Sequence, residues 1–318
     1  MTRSGNRRRR PPIGLTPNRT NEKRAMQGDR RQVAAELALI GIAAVWGLTF
    51  SLVQDAVGHI PVMTFLAYRF VPAAVIVGVI SRREIRRLSK AGWRAGIVMG
   101  VFLTGGYVFQ TLGLQRTSAS HAGFITGLWV VLTPVIGALF FHLRSDWRIW
   151  TAAGTSAVGL FFLSGSGAQG RVAGDLLVLV CAISFTFHVF VTDRAVLKQN
   201  VGSLVAVQLA FCGLFSLVVA AGEGDLRIPH DGVVWLAIAV TAVIASALGF
   251  FVQAYAQKQA SPSRTALILA SEPAFAGLFA YLLKGQSLSP LGWMGAALIM
   301  AAILSVELLP QAQPATLR

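Results

Sequence analysis

The sequence predicts an all-α polytopic membrane protein whose ten transmembrane helices form two inverted five-helix repeats. Three observations carry this. The 318 residues are 54% hydrophobic and only 13% charged, whereas a soluble domain carries about 25% charged residues. Ten apolar segments follow one another along the chain, each long enough to cross a bilayer as a helix. A set of residues in the first half also recurs in the second at a nearly constant offset.

Residues 1–32 precede the first apolar segment and hold ten Arg or Lys against Glu22 and Asp29. Polar, Arg-rich and Pro-rich, this stretch reads as a disordered basic tail. It is too long and too basic for a signal peptide, and the apolar run after it is long enough to stay in the membrane. The spans then read 35–55, 61–80, 94–114, 122–141, 147–165, 173–192, 203–221, 233–254, 264–283 and 288–307. This divides the chain into a tail (1–32), a first five-helix repeat (33–165), an outer linker (166–172), a second repeat (173–309) and a C-terminal tail (310–318). Cys181 and Cys212 both fall within apolar segments and read as small core residues.

The net charge of +15 suggests nucleic acid until its distribution is mapped. With the N-terminus inside, 23 Arg or Lys fall on the inner side and four on the outer side, leaving only Arg69 within a span. That bias requires an even number of helices and places both termini in the cytoplasm. It also accounts for the basic tail without a nucleic-acid partner, since positive charge is held at the inner membrane face, near anionic lipid.

The repeat is visible residue by residue. Gly106–Gln110 (GYVFQ) followed by Ser118-Ala119-Ser120 matches Gly249–Gln253 (GFFVQ) followed by Ser261-Pro262-Ser263, at an offset of 143. Trp150 matches Trp293 at the same offset, and Asp55 matches Asp193 at 138. Pro134 and Pro273 are 139 apart, so the first copy carries four more residues between the Ser-x-Ser and its proline. Five spans per half is an odd number, so the second half runs opposite to the first across the membrane. Inverted repeats of this kind suit alternating access, with a site near the midplane between them.

The ninth span carries the most informative chemistry. Glu272 sits eight residues after Arg264, about 12 Å along a helix that crosses about 30 Å of hydrocarbon, and a charge at that depth costs about 2.5–3.5 kcal/mol. The adjacent Pro273 lacks an N–H and predicts a helix break. Pro134 predicts the same in the fourth span. Arg69 lies at a similar depth in the second span, where it can pair with Glu272 or face a solute. Gln110 and Gln253 occupy matching positions, as interhelical hydrogen-bonding groups or as two walls of one cavity. Trp46, Trp129, Tyr107 and Tyr255 lie within spans rather than at interfacial ends, as do Tyr68 and Phe109, and are candidate walls for an amphipathic solute. His121 and His188 read as solvated residues near helix ends, and Asp55 and Asp193 as helix-end caps or gate contacts. Gly165–Gly170 fits G-x-G-x-x-G but joins two membrane spans, so it reads as a linker and not as a nucleotide loop. There is no Walker motif, no metal-ligand spacing and no nucleophile–base pair, so neither catalysis nor a cofactor or metal is expected.

These features together resemble an EamA-type member of the drug/metabolite transporter superfamily. The resemblance rests on Trp46-Gly47, Arg69-Phe70, the passage TSASHAGFITGL…TP from Thr117 to Pro134, ASPSRTALILASEP from Ala260 to Pro273, and LGWMGAALIMAAILS in the last span. It implies ten helices in two inverted repeats, cytoplasmic termini, and movement of small metabolites, often outward. The chain departs from the family at Gly285-Gln286, where Gly-Glu is common. The expected function is therefore secondary transport, as an exporter, of a small metabolite such as an amino acid, in the cell inner membrane. The partners would be that solute, the lipid bilayer and protons as coupling ion. A non-transporting sensor or scaffold that uses the tail as its output, and a passive channel-like facilitator, stay open as alternatives. The sequence leaves the oligomeric state unstated.

Overall fold

The computed structural model describes residues 19–117, 119–143, 145–164, 172–284 and 289–307. The described residues form helices and short connections, with no strand among them. In chain order the helices are α1 (Arg19–Val57), α2 (Val62–Ile80), α3 (Arg82–Ile85), α4 (Lys90–Leu114), α5 (Ala119–Gly127), α6 (Trp129–Phe141), α7 (Trp147–Ser164), α8 (Val172–Val196), α9 (Val201–Gly222) and α10 (Gly232–Ala239). A π-helical stretch (Val240–Leu248) then leads into α11 (Gly249–Gln257), followed by α12 (Pro262–Leu269), α13 (Glu272–Lys284) and α14 (Pro290–Glu307). Six helical segments among the described residues are long and apolar enough to cross a membrane: 33–57, 62–80, 90–114, 172–196, 201–222 and 232–257.

Local chemistry explains the starts. Ser89 accepts the Gly92 amide at 3.1 Å, Asn200 accepts that of Ser203 at 3.1 Å, and Asp231 accepts that of Val233 at 2.8 Å. Each satisfies an amide that the first helical turn leaves without a partner. Ser261 caps α12 in the same way, with Pro262 in the first turn, where its missing N–H does no harm. At the end of α6, His142 adopts φ 52° and Leu143 N–H returns to Gly137 O at 3.0 Å, closing the helix through a left-handed residue.

Two expectations are corrected by the helix bounds. The tail was expected to lack structure through residue 32, but α1 begins at Arg19 and runs unbroken into the apolar span. The last proline of the tail is Pro17, and the Arg, Lys, Ala, Met and Gln that follow are good helix formers. The two prolines stand differently to the breaks. In the first half the break is at Leu128, after Gly127, and Pro134 lies inside α6. In the second half the break is at Ala270 and Ser271, and Pro273 in the first turn of α13 has no N–H to carry the helical ladder back to Leu269 O across it. The Ser271 hydroxyl donates to Ile268 O at 2.8 Å and so satisfies a carbonyl at the break. Residues 1–18, the glycine-rich linker at 165–171, Gly285-Gln286 and residues 308–318 lie outside the described residues, as does the side chain of His121.

The element bounds recur along the chain. Residue 33, where the apolar part of α1 begins, and Val172 of α8 are 139 apart, as are Val62 and Val201 at the starts of α2 and α9. The pairs α5/α12, α6/α13 and α7/α14 begin and end at offsets of 143, apart from a one-residue difference at the end of α5. The two breaks therefore coincide at that offset, and the four-residue discrepancy lies only in where each proline falls after its break.

Glycine brings key helices into close register. A Cβ at Gly47 would stand 2.6 Å from Glu272 O and 2.8 Å from Ala276 N, so α1 rests directly on the backbone of α13. A Cβ at Gly213 would stand 2.9 Å from Val71 N, which brings α9 against α2. Small residues at such crossings let backbones approach where no hydrophobic gain separates helix from lipid. Large apolar side chains such as Val79, Leu139 and Val218 point outward, while Phe65, Phe70, Leu103, Leu204 and Leu269 fill the interior.

Candidate functional site

A cavity of ≈ 50 Å³ lies among α1, α2, α4, α8, α11 and the two broken helices. Of the sequence-predicted residues, Glu272, Arg69, Gln110, Gln253, Trp46, Trp129 and Tyr107 all line it. Tyr255 does not; it is 39% exposed on the outer face of α11. Tyr68 and Phe109 are not among the lining residues either, and Tyr68 rests on Trp235 at 5.9 Å between ring centroids.

Arg69 is 2% exposed and firmly held. Its Nε donates to Ser246 Oγ at 2.8 Å and its Nη2 to Tyr107 Oη at 3.1 Å. The guanidinium carbon lies 4.2 Å from the Tyr107 ring centroid and 5.1 Å from that of Phe70, a cation–π arrangement that strengthens when water is excluded. These two hydrogen bonds use two of the five guanidinium donors. Arg69 and Glu272 line the same cavity without forming an ion pair: among the described residues Glu272 has neither a salt bridge nor a hydrogen bond to its carboxylate. Glu272 is the first residue of α13, so the break at Ser271 turns the carboxyl into the cavity rather than along a continuous helix.

Trp46 Nε1 donates to Ala245 O at 2.8 Å, and its ring lies 5.5 Å from that of Phe250. Ala245 belongs to the π-helical stretch, where Gly249 N–H reaches back five residues to Ile244 O. Such stretches are frequent at functional sites because they realign the residues that follow. Here those residues include Phe250 and Gln253, both in the cavity wall. Gln110 Nε2 donates to Thr126 Oγ1 at 3.4 Å, and Gln253 Nε2 to Gln257 Oε1 at 3.4 Å. Gln253 Oε1 has no hydrogen-bond partner among the described residues.

His188 is the main correction. It was read as a solvated residue near a helix end, but α8 continues to Val196 and places it inside, 2% exposed and in the cavity wall. Its Nε2 is 2.8 Å from Gln208 Oε1. Gln208, which matches Arg69 at an offset of 139, is fully buried behind it. Phe50, Thr49, Thr126, Phe185 and Phe250 are lining residues that the sequence reading missed. The repeat offset could have found several, because it carries Trp46 to Phe185 and Tyr107 to Phe250.

The lining itself follows the repeat. Trp46 and Phe185, Thr49 and His188, and Phe50 and Val189 are each 139 apart, and Tyr107 and Phe250, Gln110 and Gln253, Thr126 and Leu269, and Trp129 and Glu272 are each 143 apart. Fourteen of the eighteen lining residues thus form seven pairs of equivalent positions, so the cavity lies between the two halves, and the other four, Val53, Arg69, Leu103 and Leu114, all come from the first.

A family model described as the EamA-like transporter family matches residues 33–165 and 172–308. An uncharacterized transporter of Archaeoglobus fulgidus is 30% identical over 282 residues, covering 87% of each chain. The uncharacterized inner membrane transporter YedA of Escherichia coli (strain K12) is 22% identical over 278 residues, covering 85% of this chain and 90% of its own. A solved crystal structure shares the fold with a TM-score of 0.72 at 18% identity, over 86% of this chain and 96% of its own. With a family match along both halves and several membrane-spanning helices, this chain is a multi-pass membrane protein and belongs to the EamA-like transporter family.

Proposed function

We propose that the protein is a secondary transporter that exports a small polar or amphipathic metabolite, such as an amino acid or a related compound, across the cell inner membrane. The cavity is its substrate site, and access alternates between the two faces of the membrane. Ten transmembrane helices in two inverted five-helix repeats (33–165 and 173–309) would place both termini in the cytoplasm. The observation that carries this reading is the pairing of cavity residues across the two halves, from Trp46 and Phe185 to Trp129 and Glu272. A site built from equivalent parts of inverted halves can be offered to either face by exchanging their conformations.

The residues divide the work. The aromatic rings of Trp46, Trp129, Tyr107 and Phe250 take the apolar part of the solute. Arg69, held by Ser246 and Tyr107, offers its remaining donors to an anionic or carbonyl group. Glu272 takes a proton or a cationic group in turn, which couples loading to protons. Gln110 and Gln253 orient polar atoms, and the unpartnered Gln253 Oε1 has an acceptor to spare. The breaks before Trp129 and Glu272 give each half a joint at cavity depth.

The test is a thermal-shift panel on the purified protein with amino acids, nucleosides, sugars and organic cations. A ligand stabilises the folded state by about 2.7 kcal/mol at a hundred times its Kd. A hit that is lost in Glu272→Gln supports the site, and a hit that survives Glu272→Gln, Arg69→Gln and Gln253→Ala alike removes the cavity from the reading.

A further inference from the structure

Glu36 and Arg264 form a second charged constellation that the sequence reading did not anticipate. Arg264 Nε lies 2.8 Å from Glu36 Oε1, with side chains 11% and 6% exposed. Glu36 is near the beginning of the apolar part of α1, and Arg264 is in the first turn of α12. The pair therefore ties the first helix of one half to the broken helix of the other. A buried pair of this kind adds little net stability, because desolvation offsets most of the Coulomb attraction. Its position is more telling.

Ten residues, about 15 Å of helix, separate Glu36 from Trp46, the nearest cavity residue of α1. From Trp46 the lining runs away from Glu36, to Val53 on α1 and to Leu114 at the last position of α4. These two helices end side by side, with Gln115 Nε2 donating to Val57 O at 3.4 Å. The equivalents of Val53 and Leu114 in the second half are Thr192 and Gln257. Neither lines the cavity, and both are 1% exposed. Gln257 Nε2 donates to Val189 O at 2.8 Å. The cavity thus extends toward one end of the helices and is sealed at the other by Thr192, Gln257 and the Glu36–Arg264 pair.

We infer that the Glu36–Arg264 ion pair is a latch that holds the translocation path shut at the end of the fold bearing the N-terminal tail, and that it parts when the cavity opens there. This rests on the alternating-access reading above. The repeat offsets carry Glu36 to Asp175 and Arg264 to His121, so an acid and a base also recur at the equivalent positions of the opposite end.

The latch is tested with Thr192→Cys in a protein whose wholly buried Cys181 and Cys212 are replaced by alanine. A charged, membrane-impermeant thiol reagent is applied to sealed vesicles from the face bearing the N-terminal tail. Labelling is expected to be slow with the pair intact and at least tenfold faster in Glu36→Gln. Arg264→Lys and Glu36→Asp keep both charges and lengthen the contact, and they carry the test if Glu36→Gln does not fold. Faster labelling from that face in the folded variants supports the latch. Parental labelling in all folded variants overturns it, because a merely structural pair changes stability and not access from one side. Labelling reads closure without flux, and counterflow of the unaltered protein reads transport without the latch, so failure of either idea is recognised separately.

Discussion

Trp129 and Glu272 are each the first residue after a helix break, 143 positions apart, and both line the central cavity. One half puts an indole at this joint and the other a carboxyl. The site is therefore symmetric in its frame and asymmetric in its chemistry, with the carboxyl in the second half and the guanidinium of Arg69 in the first.

Replacing Glu272 by Gln preserves size and most packing but removes the titratable group. Transport by the unaltered protein is expected to vary with pH, and transport by Glu272→Gln to be at least tenfold slower and flat across pH. Flux assays in liposomes from pH 5.5 to 8.5 check this; a variant with parental pH dependence assigns proton coupling elsewhere.

Tyr107 holds Arg69 in two ways, through its hydroxyl and through its ring. Tyr107→Phe removes only the hydrogen bond to a charged donor, worth about 1.5–3 kcal/mol of stability, and is expected to weaken solute binding about tenfold and to lower the melting temperature by a few degrees. Tyr107→Ala also removes the ring and should lower both. Binding titrations beside melting curves separate the two effects.

The break positions mark the limit of what the sequence made legible. The offset of 143 between GYVFQ and GFFVQ carried the repeat, and composition carried the membrane spans. The breaks were assigned to Pro134 and Pro273 because proline is the strongest helix breaker in the alphabet. Pro273, two residues past its break, has no N–H to bond Leu269 O, but Pro134 lies six residues past the break at Leu128, a position that proline alone does not set. His188 was misplaced for a related reason: apolar runs end where lipid ends, whereas α8 continues as a helix beyond its apolar stretch. Glu36 is not singled out by its local sequence, because its partner Arg264 is 228 residues away.

Gly47 tests the contact between α1 and α13. With a Cβ 2.6 Å from Glu272 O, Gly47→Ala forces the helices apart and is expected to cost about 1–3 kcal/mol, as overpacking does. It should also displace Glu272 and reduce transport more than it reduces expression. Melting temperature and flux, measured on the same preparation, check both parts.

Gln253 and Tyr255 are two residues apart and should behave oppositely. Gln253→Ala removes an amide from the cavity wall and is expected to weaken solute binding at least fivefold. Tyr255→Ala alters the outer surface, where most changes stay within about 0.5 kcal/mol, and should leave binding unchanged.

Counterflow in proteoliposomes tests the central claim most directly. Vesicles loaded with an excess of unlabelled solute identified by the thermal-shift panel are diluted into a trace of the same solute in labelled form. An alternating-access carrier gives a transient overshoot of label inside the vesicles, saturable and lost in Glu272→Gln. Label that merely equilibrates, without overshoot or saturation, contradicts the account and makes the cavity a passive channel.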